Sequence, residues 1–188
     1  MGNGPPLFVF SLLAALVIGV SSAASSSLAR TNTKFVSKLY RYSIVLDGRP
    51  RNWQASFAQT AWSTGGIDPG LPAFDTFTEL QTQRAYVIGA RRVRAGSTLK
   101  KWTGFVISMR PPHCLAAPPS RSRGTTLSGA QARLFTFSCT DGYRVKAITA
   151  LHAHHGYFMF VASPTSLSLT SDRRAFLAGQ ASFRFVSK

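Results

Sequence analysis

Residues 134–151 read LFTFSCTDGYRVKAITAL. Two runs of β-branched and aromatic residues flank Thr140-Asp141-Gly142, and Asp-Gly between such runs is the strongest short-range signature of a β-hairpin. A second turn near His154-His155-Gly156 sends the chain into Tyr157-Phe158-Met159-Phe160-Val161. Three antiparallel strands in a meander follow, ended by Pro164.

Working back from this meander, Arg84 to Arg94 contains Ala85-Tyr86-Val87-Ile88-Gly89-Ala90, the composition of a buried strand. Gly96-Ser97-Thr98 then supplies a turn and an N-cap, and Leu99, Trp102, Phe105 or Val106, and Met109 recur at helical spacing up to Pro111. Further upstream, Tyr40, Tyr42, Ile44 and Leu46 alternate as in a half-buried strand before Asp47-Gly48. Trp53, Phe57 and Ala61 share a helical face, which predicts a helix ending at Gly65-Gly66 and the Pro69, Gly70, Pro72 breaks. Downstream, Ser171-Asp172 is expected to cap a short helix through Phe176 and Leu177 before Ser182-Phe183-Arg184-Phe185. Runs of strands interrupted by two or three helices predict an α+β sandwich and not an alternating parallel sheet.

At 188 residues and 45% hydrophobic, the chain suits one domain plus a leader. Leu7 to Val20 (LFVFSLLAALVIGV) has the length of a signal h-region and is short for a bilayer-spanning helix. Small residues precede cuts after Ala23 or Ala24, although Met1 to Pro6 carries no Lys or Arg, which leaves an uncleaved anchor as the alternative. The domain reading is a signal segment over 1–24, a polar cationic linker over 25–39 with Arg30, Lys34 and Lys38, and one domain over 40–188. Export places Cys114 and Cys139 where disulfides persist. A bridge between them would close a loop of about 25 residues and stabilise by roughly 3 kcal/mol in the chain-entropy model. Two free thiols are the alternative.

The order of these signals resembles the exported bacterial PsbP-like proteins. The resemblance rests on the strand Tyr40 to Leu46, Trp53 after a Pro-containing turn, Asp75 before a strand, and Gly96-Ser97-Thr98-Leu99 with Trp102. It continues through the Leu127-Ser128-Gly129 turn, the strand ending at Cys139, Gly156-Tyr157 opening another strand, and Ser182-Phe183-Arg184-Phe185. It implies a central antiparallel sheet flanked by helices, an α/β/α sandwich shared with the extrinsic photosystem II subunit and a nuclear Ran-binding factor. It also implies a binding or assembly role on a larger complex, without a catalytic motif. The photosynthetic role does not carry over, because its metal-binding and docking residues have no matching positions here.

The charge sets the functional reading. The 22 Lys and Arg against 6 Asp and Glu give a net +16, which leaves little material for an acidic metal cage or a paired-carboxylate hydrolase. Arg84, Arg91, Arg92, Arg94, Lys100 and Lys101 carry no acid among them and form a candidate anionic-surface site. The partner expected is an unknown envelope protein or anionic surface, with membrane contact only through the leader or this basic face. Export and the core-facing spacing of Tyr86 and Trp102 argue against nucleic acid. A compositional origin of the charge is the competing view, since sixteen of the 22 are Arg and they are spread along the chain.

The second reading is a metal-binding or hydrolytic site on His152, His154 and His155, with His152 and His154 on one strand face. Its alternative is a plain hairpin turn. No Gly-x-Ser-x-Gly elbow and no phosphate loop with its Lys is present, and Asp141 is committed to a turn. The expectation is a monomeric, exported, non-enzymatic domain without a cofactor.

Overall fold

The computed structural model describes residues 31–62, 72–116 and 118–186. The proposed signal segment, the first residues of the linker and the breaks at Gly65-Gly66, Pro69 and Gly70 lie outside them. Ten strands and two α-helices follow in order: β1 (Asn32–Ser37), β2 (Tyr42–Asp47), β3 (Trp53–Ser56), β4 (Asp75–Glu79), β5 (Ala85–Arg92), α1 (Leu99–Ser108), β6 (Arg123–Leu127), β7 (Ala130–Ser138), β8 (Tyr143–His152), β9 (His155–Pro164), α2 (Leu169–Ser182) and β10 (Arg184–Phe185). Seven strands form one antiparallel sheet in the order β3-β4-β5-β9-β8-β7-β6, and β1-β2-β10 form a smaller one.

Strand alternation divides the core between the two faces of the large sheet. Tyr86, Ile88 and Ala90 of β5, Ile148 and Ala150 of β8, and Tyr157, Met159 and Val161 of β9 pack with Tyr42, Ile44 and Leu46 of β2 and Phe176 of α2. On the other face Val145, Ala147, Phe135 and Phe158 pack with Trp102 and Val106 of α1. The outcome is the expected α+β sandwich with a central antiparallel sheet: α1 on one side, α2 and the small sheet on the other.

The meander stands as read, with Gly142 at φ +84° in the first turn. The second turn sits one residue earlier than expected: Ala153 and His154 are its central residues, and His155 already pairs with His152. Gly156 has a different task. A Cβ there would meet the Trp102 ring at 2.5 Å, so only glycine lets α1 settle on β9, where the Trp102 indole donates to Tyr157 O at 2.8 Å. The α1 reading also stands, with Thr98 as the N-cap accepting from Lys101 N at 3.2 Å.

Three expectations are corrected. Residues 32–37, assigned to the linker, form β1, and the domain extends into them. The buried side chains of β1 are Thr33 and Ser37, which hydrogen-bond to Gly48 O and Tyr40 N, so the strand reads as polar. The helix at Trp53 is instead β3, an edge strand paired with β4 whose Gln54, Ala55 and Ser56 are exposed. The cap of α2 is Ser168, which accepts from Ser171 N, so the helix starts before Ser171-Asp172.

Cys114 and Cys139 are joined in a disulfide that staples a 3-10 turn (Pro112–Cys114) to the end of β7. Asp75, buried at the start of β4, accepts from the Tyr42 hydroxyl and from Ala58 N, both at 2.7 Å. That carboxylate ties the small sheet to the large one.

Candidate functional site

β5 and β9 pair antiparallel with Arg91 opposite Gly156 and Arg92 opposite His155. This register carries the arginines that follow the buried half of β5 to the same end of the sheet as the β8–β9 turn. Part of the expected basic patch and two of the three expected histidines, separate alternatives in the sequence, therefore border one cleft of about 1080 Å³, while His154 sits in the β8–β9 turn outside its lining. Its rim carries Arg91, Arg92, Arg94, His152 and His155, joined by Arg41 from the β1–β2 turn. Its floor is Trp62, Tyr40, Tyr157 and Ala90, and among the described residues no Asp or Glu lines it.

The floor is held from below. The Tyr40 hydroxyl donates to Ala73 O and accepts from Trp62 N at 3.3 Å, which fixes the chain that carries Trp62. Burial raises the Tyr157 phenol above its ordinary range, and the positive charge of Arg41 partly offsets this. Over this floor the Arg91 guanidinium lies 5.2 Å from the Trp62 ring and 4.8 Å from the Phe105 ring. Those two rings stack on each other at 5.6 Å and 18°. Planar guanidinium groups stack favourably on aromatic faces while keeping their N–H fork free at the edge. Among the described residues Arg91, Arg92 and Arg94 have no ion pair.

Of the six basic residues expected as one site, the structure brings three to the cleft. Lys100 and Lys101 are exposed on the first turn of α1, where no acid accompanies them and the helix dipole disfavours cations. Arg84 is not part of a surface site. Its side chain is 8% exposed and lies between Glu79 at 3.2 Å and Asp172 at 3.7 Å, with Ser163 and Ser171 completing its bonds. It clamps β4, β5, β9 and α2 together. Asp172 is itself buried, takes two bonds from Arg144, and presents Oδ1 to Arg84 beyond hydrogen-bond range.

The histidine reading is also redrawn. His152 stacks on Phe185 with ring centroids 4.1 Å apart and 7° between planes, and the His155 ring sits against Ala153 O. Among the described residues the only group of three His, Cys, Asp or Glu donors within mutual reach is His113, Cys114 and Cys139, whose sulfurs are spent in the disulfide. Asp141 does more than turn a hairpin, since it pairs with exposed His113 at 3.3 Å.

The acids are mostly used internally. Asp75 and Asp172 are buried, Glu79 holds Arg84 and Asp141 holds His113, which leaves Asp47 of the five in the described residues. Among the described residues the positive surface is thus barely neutralised by acids.

Sequence reasoning missed Arg41, Trp62 and Phe105 as site residues. Arg41 holds φ +54° in the turn between β1 and β2, a conformation uncommon for a side-chain-bearing residue and one that no local sequence signal marks.

No family model and no curated protein matches the chain. Among solved structures it is similar to cyanobacterial PsbP (CyanoP) from Synechocystis sp. PCC 6803, with a TM-score of 0.57 at 12% identity over 88% of this chain and 98% of that one. It is also similar to the Ran-binding protein Mog1p of Saccharomyces cerevisiae, with a TM-score of 0.53 at 8% identity over 85% and 97%. The chain has the PsbP-like fold.

Proposed function

From the PsbP-like fold and the cleft together, we propose that this chain is an exported, monomeric binding or assembly domain that docks an anionic partner of the cell envelope and performs no chemistry of its own. The observation that carries the reading is the β5–β9 register, which brings Arg91, Arg92 and Arg94 with Arg41 to a cleft lined by no Asp or Glu among the described residues. The leader sequence and the Cys114–Cys139 bridge support export. That Mog1p, a fold neighbour, is a Ran-binding protein is in keeping with a protein partner. Tyr86 and Trp102 are buried and offer no face for base stacking, which speaks against nucleic acid.

The test is capture from the cell envelope of the source organism with the full chain as bait. Charge reversal R91E/R92E/R94E is expected to abolish capture, and H152A/H154A/H155A to leave most of it. Loss only in the histidine variant would favour a metal-dependent site instead. Retention of the native chain on a polyanion column should persist at salt concentrations that release proteins held by net charge alone.

A further inference from the structure

Resting on the reading of the cleft as an anion-binding site, we infer that its occupant is an acidic segment of a protein, anchored by a carboxylate on the Arg91 fork. Arg91 differs from its neighbours in kind. Its guanidinium carbon lies 5.2 Å from the Trp62 ring centroid and 4.8 Å from that of Phe105, a cation–π contact that restrains the side chain before any ligand arrives. Its charge has no acid partner among the described residues. A guanidinium restrained in this way presents an N–H fork that matches the two oxygens of a carboxylate, with less side-chain freedom left to lose.

The remainder of the cleft selects for a peptide. A volume of about 1080 Å³ is far larger than one small anion needs and suits several residues of chain. Its floor combines Trp62 and Tyr157 with exposed Leu39 and Val186 at the margin, so an apolar side chain beside the carboxylate has a place to lie. Arg92, Arg94 and Arg41 around the rim then meet further acidic side chains. A bare lipid headgroup surface would use the rim alone and gain nothing from this floor.

The probe is a fluorescein-labelled peptide of alternating Asp and Leu, titrated by anisotropy against the full chain, with the Asn-Leu analogue and phosphatidylglycerol vesicles as parallel arms. The acidic peptide is expected to bind and its Asn analogue to bind at least tenfold more weakly. R91K keeps the charge but loses the planar fork, and is expected to weaken the acidic peptide about tenfold. F105L removes part of the stacking platform at an exposed position and should weaken it by a smaller factor, about threefold. Circular dichroism on both variants confirms that they fold. Unchanged peptide affinity in R91K and F105L would overturn the inference. Vesicle binding without peptide binding would also overturn it, while leaving the anionic-partner reading in place. R91E/R92E/R94E binding envelope material as the native chain does would instead remove the reading on which it rests.

Discussion

Arg84 and Arg91 lie in one basic run and have opposite fates. Arg91 stands at the open end of β5, borders the cleft and has no acid partner among the described residues, whereas Arg84 is enclosed by Glu79, Asp172, Ser163 and Ser171. Removing one member of a buried ion pair leaves its partners desolvated without compensation. R84A is therefore expected to cost about 3 to 5 kcal/mol. R92A, at an exposed position, should stay within about 0.5 kcal/mol of the native chain. Urea unfolding midpoints of the two variants check this, and a native midpoint for R84A would return that residue to the surface patch. The difference was hidden from the sequence because Asp172 lies 88 positions beyond Arg84, and nothing local announces that α2 brings it back. The three cleft arginines were legible for the opposite reason: strand β5 runs out of apolar residues after Ala90, which leaves Arg91 half-buried and Arg92 and Arg94 exposed.

Among the elements, the β8–β9 hairpin shows where local rules mislead. Glycine is the usual occupant of left-handed turn positions, so Gly156 drew the turn toward itself. The turn residues are instead Ala153 at φ +46° and His154 at φ +63°, while Gly156 is kept clear for the Trp102 ring. Two side-chain-bearing residues in that region are held by the strands on either side. Replacing them with the turn pair Asn-Gly (A153N/H154G) is expected to stabilise the fold by about 1 kcal/mol. Thermal denaturation measures it, and a lowered midpoint would contradict the turn geometry. The same elements show what sequence periodicity can and cannot reach. The meander and α1 were legible because their buried faces are mostly apolar, with Thr103, Thr149 and Ser163 the polar exceptions, so periodicity reports burial directly. Strand β1 buries Thr33 and Ser37, and β3 is an edge with three exposed residues, so neither carries an apolar period to detect. Trp62, in turn, reaches the cleft floor from a segment with no regular structure.

For the molecule as a whole, buried phenols govern the alkaline limit. Burial raises Tyr40, Tyr42, Tyr86 and Tyr157 above the ordinary value of 10.0, with the Asp75 charge adding to the effect at Tyr42. Below that value both folded and unfolded chains hold these protons, and the stabilisation is fully present. As pH rises past about 10, the unfolded chain releases protons that the folded chain still binds, so stability falls progressively. Lys146, whose proton is held less tightly because of burial, works in the other direction over that window, one group against four. Urea midpoints at pH 8 and pH 11 are expected to differ clearly, with Y86F less sensitive than the native chain, and equal midpoints would argue against the burial of these phenols. Four of the five described acids are either buried or already paired within the chain. The surface cations have to draw their accompanying anions from the medium, and a partner that takes the place of those ions sets them free. Association then gains from the mixing entropy of released small ions, so the grip on the partner depends on the dilution of the surroundings as well as on the contacts made.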